Sequence, residues 1–445
     1  MSWRHRFAKT ILGLCLLIST ATAQPKIEIK YRLNGPAGSH FGWSVSKIGN
    51  VDGDHEPDII IGAPQTSPNG KTAAGSIFIY SGKTGKLILR KNGANAADRF
   101  GQILCGFADL NGDKKGDFAV GLPEADPDGK IQAGSVLVFS GTNGRLLYQV
   151  NGRAPFELFG QTLCNAGDVN RDGHEDFAGG APNASSVANA ATGAIRVFSG
   201  QDGRLIFEVP GQQPGELLSV CAAAGDVNGD GFADLLIGHP NADWNGIKQA
   251  GIVQIFSGAL NGANRLLFEL GGNKERQNFG QYLAGAGDIN GDKKSDFIVG
   301  APIDCHNGEA FVYSGGTKSL LFHLSHPPGQ FCHFGETVAR AGDLDGDGIQ
   351  DLVVGSATDS PDGKSLAGHL KLFSGASAKE LFDLKGAEPQ SRLGFSVAAL
   401  GDIDGDGAFE FAVGVPYATS TKGPQGGQVL IFTSQPKTRS KTTEK

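Results

Sequence analysis

Asp109-Leu-Asn111-Gly-Asp113 opens a short acidic stretch that the chain repeats at nearly constant spacing. It recurs as Asp168-Val-Asn170-Arg-Asp172, Asp226-Val-Asn228-Gly-Asp230 and Asp288-Ile-Asn290-Gly-Asp292. Two later copies are Asp343-Leu-Asp345-Gly-Asp347 and Asp402-Ile-Asp404-Gly-Asp406, and Asn50-Val-Asp52-Gly-Asp54 comes first. The copies start at 50, 109, 168, 226, 288, 343 and 402, at intervals of 59, 59, 58, 62, 55 and 59. A fixed period of this length is the mark of a repeat architecture, and it decides the fold before any single residue does.

Each unit reads alike. Phe-Gly opens it (Phe41, Phe100, Phe159, Phe279 and Phe334 lead clean copies), and a short apolar stretch runs into the acidic loop. An apolar run such as Asp234-Leu-Leu-Ile237 follows and ends in Gly-Ala-Pro, begun by Gly62, Gly180 or Gly300. A polar loop leads to a third run, for example Ser135 to Phe139, and Ser-Gly-x-x-Gly turns the chain into a fourth, such as Arg204 to Val209. These runs are rich in β-branched and aromatic residues, and Gly, Asn and Asp punctuate them. Antiparallel strands repeated radially, about four to a unit, make a β-propeller blade.

The seventh unit stops after its third strand, Gln428 to Phe432, while a spare strand, Ile27 to Leu33, stands near the N-terminus. Asn34-Gly35 after it matches Asn151-Gly152 at the end of the second unit. The sequence therefore predicts an all-β fold: one closed seven-bladed propeller over residues 24–433, the N-terminal strand completing the last blade. Closure removes the exposed sheet edge, which invites aggregation.

Arg4, Arg6 and Lys9, an apolar run from Ile11 to Ile18, and Ala21-Thr22-Ala23 read as a signal peptide over residues 1–23. This predicts secretion, to an extracellular or periplasmic space, with no transmembrane anchor. Residues 434–445 read as a disordered polar tail. The formal charge of −7 becomes −10 once the three leader cations go, and with no basic patch nucleic acid is not an expected partner.

Oxygen side chains occupy positions 1, 3, 5 and 9 of every loop. Position 9 is Asp58, Asp117, Asp176, Asp234, Asp296, Asp351 or Glu410. Crowded carboxylates repel unless a cation sits among them, and hard oxygen donors suit Ca²⁺, which takes roughly 6 to 8 of them. Up to seven Ca²⁺ sites are expected. Loops 3, 4 and 6 rank first and loop 7 next; loops 1, 2 and 5 rank last, the latter two for Lys114-Lys115 and Lys293-Lys294.

Phe-Gly, the acidic loop and Gly-Ala-Pro, repeated over roughly residues 25–434, resemble the FG-GAP repeat of the integrin α-subunit N-terminal propeller. The resemblance implies Ca²⁺ in hairpin loops on one face and partner binding on the other. Blade 4 departs with Leu217-Leu218 in place of Phe-Gly, and blade 6 with Gly355-Ser-Ala357.

The expected function is a secreted, calcium-binding, monomeric interaction module for a protein or carbohydrate on the face opposite the calcium loops. The alternative is an extracellular hydrolase or lyase with residues at the channel mouth, and no catalytic motif supports it. Trp244, on the long loop of blade 4, is the candidate partner anchor. Cys105 and Cys164 read as free buried thiols in small-residue slots. Cys305 and Cys332 are expected to form a disulfide closing about 27 residues, worth roughly 3–4 kcal/mol; a zinc site adding His306 and His333 is the rival.

Intact-mass measurement on exported protein should give a chain starting at Gln24. Retention of residues 1–23 would contradict the leader reading.

Overall fold

The computed structural model describes residues 25–185, 191–258, 265–302, 308–326 and 333–434. The expected leader, residues 435–445 of the tail, Cys305 and Cys332 lie outside them. The strands form seven four-stranded antiparallel sheets, six of them in chain order from the innermost strand outward. In blade 1 these are Val45–Ile48, Asp58–Ala63, Ser76–Tyr80 and Leu87–Asn92. Blade 7 has Ser396–Gly401, Glu410–Val415 and Gln428–Ser434, and its outer strand is the N-terminal Ile27–Asn34. That strand pairs antiparallel with Gln428–Ser434, from Ile27 opposite Ser434 to Asn34 opposite Gln428, with a bulge at Lys30. The ring closes as the sequence predicts; the last strand runs to Ser434, one residue beyond the expected boundary.

The core lies between blades. One apolar cluster joins Ile59, Ile61 and Phe78 of blade 1 to Leu400, Ala412 and Ile431 of blade 7. Equivalent clusters fill the other six interfaces. Every second strand is therefore buried along its whole length, as in Asp58–Ala63 and Asp351–Ser356. A strand covered on both faces reads as an unbroken apolar run, which explains why these segments do not alternate.

Phe-Gly and Gly-Ala-Pro are two halves of one joint. Gly101 opens blade 2, and its carbonyl oxygen lies where a Cβ on Gly62 of blade 1 would stand, 1.8 Å away. The same contact closes the ring, between Gly414 of blade 7 and the Gly42 carbonyl of blade 1, at 2.1 Å. Gly101 itself has a φ of +91°, which a side chain would strain. The preceding Phe plugs the interface: Phe41, Phe159 and Phe279 are buried.

Blade 4 corrects the expected alignment. Leu218 is buried and takes the Phe slot, donating its N–H to Thr192 as Phe159 does to Ala133, while Leu217 is 40% exposed. The innermost strand of this blade is reached one residue sooner, so Leu218-Ser219 is the Phe-Gly counterpart. Cys105 is buried and free; Cys164 is half-buried and free, with its Sγ 3.4 Å from that of Cys221, a cysteine the repeat alignment did not single out.

Removing residues through Asn34 should expose the Gln428–Ser434 edge and abolish cooperative unfolding. A monodisperse deletion variant with a normal melting curve would contradict closure by this strand.

Candidate calcium-binding loops

The acidic loops are built on their own backbone. In loop 6, Asp343 Oδ1 accepts from Gly346 N at 2.6 Å and its Oδ2 from Gly348 N at 2.9 Å, while Asp347 Oδ1 accepts from Ile349 N at 2.8 Å. Loops 4 and 7 repeat this through Asp226 and Asp402. These bonds curl the loop so that positions 1, 3 and 5 turn inward, by turns and not by the extended alternation that spacing alone would give. Positions 4 and 6 must both be left-handed. Gly346 and Gly348 have φ of 81° and 95°; Arg171, His55, Lys114 and Lys293 hold the same region without being glycine.

Position 9 does something separate. Asp351 Oδ2 accepts from Leu344 N at 2.7 Å and its Oδ1 from Gly375 N at 3.1 Å. Gly375 belongs to the Ser-Gly turn between the third and outer strands, so one buried carboxylate ties the ion loop to the neighbouring hairpin. Asp58, Asp117, Asp176, Asp234 and Asp296 make the same pair of bonds. All are fully buried. Burial pushes the carboxyls of Asp58, Asp117 and Asp234 up to about 6, and those of Asp176 and Asp351 up to about 7, despite the N–H bonds. Each of these loops thus buries a carboxyl at the start of its second strand.

The loops differ in how tightly the acids gather. Asp52, Asp54 and Asp58 offer oxygens within 4.8 Å of one another, as do Asp343, Asp345 and Asp347, and Asp402, Asp404 and Glu410. In loops 2 to 5 the position 3 amide fills part of this space. Asn111 Nδ2 donates to both oxygens of Asp117 at 3.0 Å, Asn170 and Asn228 donate to Asp172 and Asp230, and Asn290 to Asp296. Asp168, Asp288, Asp113 and Asp292 complete those loops, and Asn50 accepts from Gly53 N in loop 1. In loop 3, Arg171 reaches away to the Asp230 carbonyl of loop 4.

Loop 7 contains a cation of its own. The bulge at Lys30 aims its side chain into the loop, where Nζ bonds Asp404 and lies 3.0 Å from Glu410 Oε1. Burial opposes the ammonium charge, but hydrogen bonds to Asp404 and Glu410 outweigh it and raise the lysine pKa. Blade 7 lacks the Ser-Gly turn, and the longer Glu410 instead takes Thr433 Oγ1 at 2.6 Å. No signal short of the closing register could place Lys30 here.

The donor set fits Ca²⁺: carboxylate and amide oxygens, no sulfur or nitrogen, and raised position 9 carboxyls that a dication would relieve. The residues that would hold it are those at positions 1, 3, 5 and 9.

Trp244 pairs with Ile247 across a short bridge, and its ring lies on Gly271 of the same blade. Cys305, His306 and Cys332 fall outside the described residues. A larger aromatic group was not anticipated. Trp43 and Phe395 lie 4.7 Å apart between ring centroids, with Tyr417, His40 and Arg392 packed around them. Other linkers carry Gln102, Gln161 and Gln281 where Trp43 and Phe395 stand.

The two roles are separable. In chelator, Asp351→Ala should cost about 2–4 kcal/mol, because two buried N–H groups lose their acceptor. Asp345→Ala should cost little in chelator and show its loss only with Ca²⁺. Equal losses for both variants in chelator, by denaturant melts, would contradict the assignment.

A family model described as the FG-GAP repeat matches residues 41–80, 159–198, 222–256 and 393–432. The chain is 29% identical to Integrin alpha-4 of Xenopus laevis over 236 residues, which cover 50% of this chain and 22% of that protein. It is 29% identical to Integrin alpha-V of Gallus gallus over 203 residues, 43% of this chain and 19% of that protein. It thus spans about a fifth of the length of these curated relatives. Among solved structures, one titled "Crystal structure of BBS1N in complex with ARL6DN, soaked with lead" aligns over 91% of this chain and 98% of its own, with a TM-score of 0.52 and 11% identity. That likeness concerns the fold alone. The repeats in four places, the seven closed blades and the likeness to integrin alpha subunits agree: the chain is a β-propeller of FG-GAP repeats, integrin alpha-like in its sequence.

Proposed function

We propose that this protein is a secreted, calcium-stabilised propeller that works as an adhesion-like interaction module and not as an enzyme. The observation that carries the calcium part is geometric: in loop 6 Asp343, Asp345 and Asp347 bring carboxylate oxygens within 4.8 Å of one another, with the buried Asp351 at the end of the same loop. Loop 6, with Asp343, Asp345 and Asp347 already gathered, is the strongest site, and loop 1 joins it through Asp52, Asp54 and Asp58. Loops 3 and 4 follow, then 2 and 5 with their lysines. Loop 7 drops to last, because Lys30 supplies its positive charge.

The likeness to integrin α subunits supports the interaction role. The face opposite the loops is the partner face, for a protein or a carbohydrate. There the Trp43, Phe395 and Tyr417 group, with Arg392 5.0 Å from the Tyr417 ring, offers apolar and cationic contact area in one place. Trp244 is the second candidate, weakened by its seat on Gly271. A catalytic reading has little to rest on: the axial cavity is lined by Ser46, Cys164, alanines, Leu283 and Val397, and Cys164 and Arg340 are the ionisable side chains among its lining residues. A hydrogen bond with Cys221 and burial push the Cys164 thiol well up. Among the described residues no helix is long and apolar enough to cross a membrane.

A site filled at 100 times its Kd adds about 2.7 kcal/mol. Several such sites should raise the melting midpoint by on the order of 10 °C over protein in excess chelator. An unchanged curve would overturn the calcium reading.

A further inference from the structure

The repeat supplies its own controls, and at the interface of blades 5 and 6 it is broken in a coordinated way. The residue that follows each outer strand is glycine in six blades: Gly35, Gly93, Gly152, Gly211, Gly272 and Gly386. A Cβ there would collide with a backbone oxygen or a side chain, at 1.9 Å in Gly152 and 2.0 Å in Gly93. Blade 5, whose outer strand is Leu320–Ser325, carries His326 instead, and it is buried.

Two further departures meet it. In six blades the residue that accepts the N–H of the glycine before the third strand is Thr66, Ala125, Ala184, Ala242, Asp359 or Ala418. Among these six described residues only that of blade 6 is an acid. The third strand of blade 6, His369–Phe373, begins with a histidine where other blades have Ser76, Ser135, Ala194, Ile252, Glu309 or Gln428. His326, Asp359 and His369 are each over nine-tenths buried and offer ligand atoms within 4.8 Å of one another.

We propose that His326, Asp359 and His369 form a metal site for a divalent transition ion of the zinc class, separate from the oxygen-only loops. Two imidazole nitrogens and one carboxylate suit such an ion, with bonds of about 2.0–2.2 Å. His369 Nδ1 faces Asp359 Oδ2 at 2.9 Å, and its Nε2 bonds Asp383. A ligating histidine whose other nitrogen donates to a carboxylate is the usual outer-shell arrangement, since it fixes the tautomer that leaves Nδ1 free for the ion. Charge agrees: Asp359 and Asp383 balance a dication when both imidazoles are neutral. Ser356 is 2% exposed and lines the same enclosed cavity, and its Oγ has no partner among the described residues. A polar occupant would satisfy it.

The test uses the whole secreted chain, loaded with Zn²⁺ or Co²⁺ in excess Ca²⁺ and passed through gel filtration, with retained metal counted by mass spectrometry. One ion per chain is expected. His326→Gly and Asp359→Ala each restore a residue the other blades carry at that place, so both should fold, keep a Ca²⁺-dependent melting curve, and lose the ion. Cys305→Ser/Cys332→Ser should retain it. No retained ion in the parent protein, equal retention in His326→Gly and Asp359→Ala, or loss only on removing the two cysteines would each overturn the proposal. A His326→Gly variant that fails to fold leaves Asp359→Ala and the cobalt spectrum to decide: a tetrahedral nitrogen and oxygen site gives visible absorption without thiolate charge-transfer bands, and their presence would count against it.

Discussion

A carboxylate buried at the start of a fully covered strand is the constraint on which the acidic-loop face of this propeller turns. Position 9 of each loop must sit at the start of a fully covered strand, because its oxygens collect N–H groups from the ion loop and, in six blades, from the next hairpin. Two neutral donors do not offset the loss of water around a charged group, and burial raises these carboxyls accordingly. The fold therefore creates a place where positive charge is worth more than it would be on the surface. Blade 7 tests the logic from within: where the hairpin is missing, a lysine on the closing strand enters the acid cluster. The strand that closes the ring also neutralises its last loop.

The opposite half obeys a steric rule. Gly-Ala-Pro and Phe-Gly persist because a backbone oxygen of one blade lies in the volume of a side chain on the next. No blade has a core of its own, so a loose joint would open two apolar clusters at once. With the joint fixed by glycine and the plug by Phe or Leu, the loops between them are free to vary. Departures from the pattern then carry information, and the histidine in a slot that is otherwise glycine is the clearest of them.

Most of the fold was legible in the sequence, since period, turn residues and strand composition all give the same answer, and the missing seventh outer strand identifies its own replacement. The loops were legible as acid sets but not in their order. Lys30 lies some 370 residues from Asp404 and reaches it only through the closing register and a bulge, neither of which leaves a mark in the sequence. Leu218 was misaligned by one place because a shortened linker looks the same as a substituted motif. Trp43, Phe395 and Tyr417 come from both ends of the chain and meet only because the ring closes. The meaning of His326 lies in the six glycines that occupy its place elsewhere.

A crystal structure of the protein grown in Ca²⁺, with anomalous scattering recorded to identify the ions, tests the central claim most directly. The account predicts an ion in loop 6 bound by Asp343, Asp345, Asp347 and Asp351, and none in loop 7, where Lys30 Nζ stands between Asp404 and Glu410. A calcium-free loop 6 at millimolar Ca²⁺, or an ion in loop 7 with Lys30 turned out to solvent, would contradict it.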